Sequence, residues 1–401
     1  MAQFRSINRW MVHIPIYAIG LGTFSIVNVP SLKLVFGSTS LVNIAAFGLL
    51  LFGAITQVAH ANKIPSKMYS TSTDGLAITA ISIAFFIIVI PELFGLRSPH
   101  PNYLTDTLSL IYTAAALAVI SIIARYRDLR IYLGAQVTWA ALLSFLYLAN
   151  IVDYSRELGQ HYNTLGVPIT LGLIVLVGYA IAPNNSLSRE HMASMAIIGA
   201  VMFAGILSLH GRSPFIGLVL SIGVGMFLMV RRLPGNQIRQ SGQLAAVIIS
   251  VGIVGGAIMR ATSLVDSLVI DLTIQMITNP TNESRIATYA DTVAFIISNP
   301  FGYGLGAFEP MYGSPYPHNL LLHATFAGGW IAGILFTGGF LLLVLLAYLL
   351  FEFNPTAVSL SMVMAVTYLL FTFMVSYSIT HSYQLFALLA LASAARTCRK
   401  S

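Results

Sequence analysis

Three residues of this chain pair ionisable chemistry with an unexpected place in an apolar sequence: Arg212, Arg285 and His318. Arg212 stands in Gly211-Arg212-Ser213-Pro214 at the head of an apolar run, and His318 stands in Pro317-His318-Asn319 at the head of another. Arg285 falls near the start of a short periodic segment, 284–298. Guanidinium groups carry a permanent charge and a planar fork of donors. Two of them suit a diphosphate, through charge-assisted hydrogen bonds of roughly 1.5–3 kcal/mol each. An unperturbed imidazole titrates near pH 6.5 and accepts a proton at neutral pH. Each residue also has a plainer reading: an arginine that snorkels to lipid headgroups, and a lone structural histidine. His323 follows five positions after His318, about 140° around a helix, which is poor geometry for a shared metal. No carboxylate or cysteine completes a ligand set nearby, so no metal or other cofactor is expected.

Between the arginine and the histidine lies Gly302-Tyr303-Gly304-Leu305-Gly306. The G-x-G-x-G spacing lacks the preceding strand of a dinucleotide site. The glycines permit tight turns, and their amides, Gly304 included, could form an anion nest. Tyr303, Tyr312 and Tyr316 could stack on sugar rings or belong to an interfacial aromatic belt.

These residues need elements to position them. The 401 residues are 57% hydrophobic and 8% charged, far below the roughly 25% charged content of soluble domains, so the chain reads as an all-α polytopic membrane protein. The formal charge of +7 then reflects lysines and arginines flanking membrane helices, and no nucleic-acid partner is expected. The single cysteine, Cys398, excludes an intrachain disulfide framework. About twelve apolar runs reach the ~20 residues needed to span, near 10–28, 39–59, 74–95, 103–124, 131–152, 165–182, 191–209, 213–230, 242–260, 325–351, 355–376 and 379–396. The first is expected to be retained as a membrane helix. With both termini in the cytoplasm, fourteen of the twenty lysines and arginines fall inside.

The chain thus forms one membrane domain, 1–401, with a periplasmic loop subdomain at 261–324. Segment 284–298 has helical periodicity: Ile286, Tyr289, Ala290, Val293, Ile296 and Ile297 share one face, and Arg285, Thr288 and Thr292 share another. It is too short to span, and is expected at the membrane surface over the helix bundle, with Arg285 pointing to the interface. Arg156, Glu157, His161 and Tyr162 form a second external polar cluster, placed to contact a glycan or to be a solvated loop. A secondary transporter would keep ionisable residues near the bilayer midplane. Here Asp74, Glu92, Asp106 and Glu352 all lie near span ends. A lipid flippase is the other competing class.

The order Ser284-Arg285, Asn299-Pro300-Phe301-Gly302-Tyr303-Gly304-Leu305-Gly306-Ala307-Phe308, His318-Asn319-x-x-Leu322, Gly329 and Gly333, with Arg212 before it, resembles the O-antigen ligase and polymerase superfamily of bacterial membrane glycosyltransferases. The resemblance implies a GT-C-like helical fold in the inner membrane. It implies transfer, at the periplasmic face, of a glycan from undecaprenyl diphosphate to a sugar hydroxyl, inverting at C1 without nucleotide or metal. Arg285 and Arg212 would hold the diphosphate, and His318 would orient or deprotonate the acceptor. Asn319, Tyr289, Gly304, Tyr303 and Arg156 would contact substrate. The acceptor would be another glycan or lipid A–core, and a chain-length regulator is a further candidate partner alongside membrane lipids. A glutamate common nine residues after the motif histidine is replaced by Ala327, and a Thr and Gln of the ligase branch are missing after Gly328. These departures lean toward the polymerase branch.

Overall fold

Backbone in hydrocarbon has no water to bond to, so long apolar runs satisfy themselves as helices. A computed structural model describes residues 17–60, 72–94, 103–152, 163–182, 189–209, 212–232, 284–314 and 316–397, and every regular element among them is helical. In chain order these are α1 (Tyr17–Val27), α2 (Val29–Phe36), α3 (Thr39–His60), α4 (Ser72–Leu93), α5 (Tyr103–Ile123), α6 (Tyr126–Leu148), α7 (Asn163–Ile181), α8 (Arg189–Ser208) and α9 (Arg212–Arg232). After them come α10 (Ser284–Ser298), α11 (Phe308–Tyr312), α12 (Leu320–Phe353), α13 (Ala357–Val375), a 3₁₀ turn at Ile379–His381, and α14 (Tyr383–Thr397). Among the described residues nine helices are long and apolar enough to cross a membrane. The pair α1–α2, bent by 89°, makes a tenth candidate, and Tyr383–Arg396 is a shorter apolar helix. The expected run at 242–260 lies outside the described residues, as do 261–283 of the expected external loop and the Arg156–Tyr162 cluster.

Helices α7 and α13 are buried along most of their length and form the centre of the bundle. Polar contacts identify its two ends. At one, Arg396 and Ser393 both donate to Asp74, Arg232 pairs with Glu352, and Tyr126 bonds Thr356 at 2.5 Å. At the other, Ser213 donates to Asn163 and the Leu305 amide donates to Glu92. Helix α4 carries Asp74 at its first end and Glu92 at its second, so the glycine turn sits opposite the arginine-rich end.

The orientation of α10 differs from the expectation. Thr288 and Thr292 are buried, while Ile286, Val293 and Ile297 are 56%, 43% and 66% exposed. The helix turns its polar stripe into the protein and its apolar stripe outward. An apolar stripe turned outward is the stable arrangement for a helix whose outer side meets lipid, the medium expected for this chain. The Thr292 hydroxyl donates to the Thr288 carbonyl at 2.6 Å, one turn back, which satisfies it locally.

Helix α12 runs for 34 residues, well beyond the ~20 a span needs. It is broken at Gly329 (φ 77°, ψ −173°). The glycine turn fills the break. Tyr303 and Gly304 amides donate to the carbonyls of Phe326 and Ala327 at 2.8 and 3.0 Å, and the Trp330 amide donates to Pro300 at 2.9 Å. Two backbones meet here at a distance no side chain allows. A Cβ on Gly302 would lie 2.4 Å from the Gly329 nitrogen, and one on Gly329 would lie 2.3 Å from the Pro300 oxygen.

Candidate active site at the end of α13

The last carbonyls of a helix lack intrahelical partners. At the end of α13 the motif residues supply them. Asn319 Nδ2 donates to the Met374 carbonyl at 3.1 Å, the Tyr289 hydroxyl approaches the same carbonyl at 3.4 Å, and the Tyr316 hydroxyl reaches the Ser376 carbonyl at 3.5 Å. Asn319 also caps α12, its Oδ1 accepting from the Leu321 and Leu322 amides at 3.0 Å each. One side chain thus starts α12 and ties that start to α13.

His318, the residue before the cap, has φ 55°. The left-handed region costs a non-glycine residue roughly 1–2 kcal/mol. The Tyr289 hydroxyl, at 3.3 Å from the His318 carbonyl, helps hold that conformation. The imidazole packs edge-on to Tyr316 at 4.7 Å between ring centres, with Nε2 3.5 Å from Ser314 Oγ. Nδ1 is buried and makes no hydrogen bond, and the Ser376 backbone lies close enough to the ring to favour its protonated form. Burial pushes the His318 pKa below the ordinary histidine value, and the Arg285 charge pushes the same way, against the Ser376 carbonyl. Arg285 and His318, 33 positions apart, therefore share one electrostatic neighbourhood. Such an imidazole is neutral at pH 7, the form a general base requires.

The structure brings together Arg285, Tyr289, His318 and Asn319. Arg212 is the first residue of α9, beside Ser213 at the same end of the bundle; its side chain lies outside the described residues, as does Arg156. Tyr303 stacks on Phe326 at 4.9 Å and bonds Ser298 at 2.8 Å, so one ring face and the hydroxyl are already engaged. The amides of Tyr303, Gly304 and Leu305 are bonded to Phe326, Ala327 and Glu92, so the Gly304 amide is already engaged within the protein. Glu92, read from the sequence only as a carboxylate near a span end, meets the glycine turn. It is 5% exposed, and its Oε1 accepts from the Leu305 amide at 3.0 Å. The signal was a carboxylate directly after Pro91 at the site end of an apolar run.

Arginine, glycine turn and His-Asn cap thus occur in one order at one end of the bundle. Residues 197–337 match the O-antigen ligase family model. That match supports the O-antigen ligase and polymerase superfamily read from the chain's motifs. The matched stretch begins in α8, includes Arg212, Arg285, the glycine turn, His318 and Asn319, and ends in α12 beyond the Gly329 break. No curated protein matches the chain. The family match points to a glycosyltransferase-like enzyme and to lipid-linked glycan and acceptor substrates in general.

Proposed function

We propose that this protein is an inner-membrane glycosyltransferase that works at the periplasmic face, moving a glycan from undecaprenyl diphosphate to a sugar hydroxyl with inversion at C1. The observation that carries the reading is that Arg285 lies near enough to His318 for its charge to help lower the imidazole pKa, on a helix that buries Thr288 and Thr292 and exposes Ile286, Val293 and Ile297. A lipid-linked donor needs that arrangement. Its apolar chain stays in the bilayer, outside α10, while its diphosphate meets the guanidinium on the inner side. Arg285, with Arg212, would stabilise the charge that develops on the departing diphosphate. His318 would take the acceptor proton, a contribution typically worth ~10²–10⁴ in rate. Tyr289 and Asn319 act behind His318, fixing its backbone to α13.

The departures at Ala327 and after Gly328 favour a polymerase that joins repeat units. The name of the matching family, O-antigen ligase, favours attachment of finished glycan to lipid A–core as the second reading. Purified protein in nanodiscs, given a lipid-diphosphate-linked repeat unit, separates them. A ladder of products from that unit alone is expected of the polymerase. Product formed only when lipid A–core is added identifies the ligase. No transfer under either condition, with folded protein, overturns the proposal in favour of a transporter or flippase.

A further inference from the structure

The segment between α13 and α14 belongs to no motif, yet it holds the densest set of small polar side chains near the site. Its opening residue, Ser376, presents the carbonyl that Tyr316 reaches. Further on, Ser378 caps the 3₁₀ turn by accepting from the Thr380 amide at 3.1 Å, and its hydroxyl lies 2.5 Å from that of Thr380. Both hydroxyls face Nδ1 of His381, at 3.2 and 3.4 Å. The Tyr377 ring lies 6.2 Å from the His381 ring and stacks on Phe373 at 4.6 Å. Histidine 323 joins this segment to the site: its Nδ1 accepts from the Ile379 amide at 3.2 Å, and its ring lies parallel to Tyr316, the residue edge-on to His318. His318 and His381 both lie within electrostatic range of His323.

His381 differs from the buried side chains around it. It is exposed, although surrounding protein desolvates it enough to lower its pKa. The ring is thus open on one side and packed on the other, where Ser378, Thr380 and Tyr377 lie. Its Nδ1 is held by two hydroxyls, while its Nε2 has no hydrogen-bond partner among the described residues. Whichever way the proton lies on Nδ1, the two hydroxyls fix the ring, and Nε2 is left to donate or accept a hydrogen bond. A chain that orders an imidazole so fully and leaves its outer nitrogen open has built a polar contact for something outside itself.

We propose that the break between α13 and α14 is a sugar-binding subsite, in which His381 Nε2, oriented by Ser378 and Thr380, hydrogen-bonds a hydroxyl of the acceptor glycan. The assignment of that glycan as acceptor rests on the transferase reading above; sugar binding itself does not. The ligand class follows from the groups present. The segment offers neutral donors and acceptors beside an aromatic ring, which suits a hydroxyl-rich, uncharged ring. It carries no lysine or arginine for a phosphate.

The test uses the full-length protein in nanodiscs and, as probe, the phosphate-free oligosaccharide released by mild acid from the host's own lipid-linked repeat units. Binding is measured by calorimetry, with the melting temperature followed in parallel. His381→Gln and Ser378→Ala are each expected to weaken binding at least five-fold while melting within a few degrees of wild type. Equal binding by wild type and both subsite variants overturns the proposal, as does no measurable binding by wild type. Weakened binding in step with a lowered melting temperature also overturns it, because the segment would then be structural only. Oligosaccharide binding without any glycan transfer would instead sink the transferase reading and leave the subsite standing.

Discussion

At the scale of single residues, the account turns on one imidazole and the charge beside it. His318 is kept neutral by burial and by Arg285, so its pKa lies below 6.5. The acid limb of transfer is therefore expected at lower pH than an ordinary histidine would give. Replacing Arg285 with Gln removes one of the two causes, so the acid limb of its residual activity should move to higher pH; a pH–rate profile of the variant checks this. The linkage to stability has the same direction. Below the ordinary histidine value the unfolded chain takes up a proton that folded His318 resists, so His318 weakens folding as pH drops. Arg285→Lys keeps the charge and loses the planar fork, and is expected to cut turnover by at least ten-fold if the diphosphate is held bidentately. Tyr289→Phe removes only the hydroxyl that approaches the His318 and Met374 carbonyls. A loss of about 0.5–1.5 kcal/mol is expected, which would appear as a two- to ten-fold drop in kcat if the bond positions His318 for the transition state.

At the scale of elements, two junctions decide whether those residues meet. The first is the Asn319 cap. Asn319→Asp keeps the acceptor for the Leu321 and Leu322 amides but loses the donor to Met374, whereas Asn319→Ala loses both. The alanine variant is expected to lose about 1 kcal/mol of stability from the cap alone, and the aspartate variant to melt near wild type with reduced turnover, as thermal melts and rates will show. The second junction is the contact of Gly302 with Gly329. Alanine at either position meets backbone, not a yielding side chain, so Gly329→Ala is expected to reduce the folded yield as well as activity. Much of this was legible in the sequence. The 284–298 helix follows from periodicity, and Pro317-His318-Asn319 reads as the head of an apolar run, although α12 starts at Leu320, inside the 261–324 stretch expected as loop. What the sequence hid was which way α10 faces. An apolar stripe looks the same whether it is turned to a core or to lipid, and only Thr288 and Thr292, packed inward, decide it. The break in α12 was hidden too, because Gly328-Gly329 inside an apolar run reads equally well as a close helix contact.

At the scale of the whole molecule, the bundle separates two ends. Arg232, Arg396 and their acidic partners lie at one; the glycine turn, His318 and the end of α13 lie at the other. The sequence anticipated this polarity through its fourteen-to-six distribution of basic residues, since a positive-inside bias is a property of loops and needs no tertiary structure. It could not anticipate that Asp74 and Arg396, 322 positions apart, close the arginine-rich end, because long-range partners leave no local trace. With a second, introduced cysteine, labelling by an impermeant thiol reagent checks the polarity. A cysteine at Ser314 is expected to label from the periplasm, and one at Glu352 only after the membrane is breached. The reverse pattern would contradict a periplasmic site.

The central claim is that His318 is the proton acceptor of a glycan transfer, and its most direct test is product formation by His318→Ala beside wild type. Both are supplied with the lipid-diphosphate-linked repeat unit, with and without lipid A–core, at equal protein level and melting temperature. The account predicts product from wild type and a loss of at least 10² in rate for the variant. Near-normal turnover by His318→Ala would contradict it.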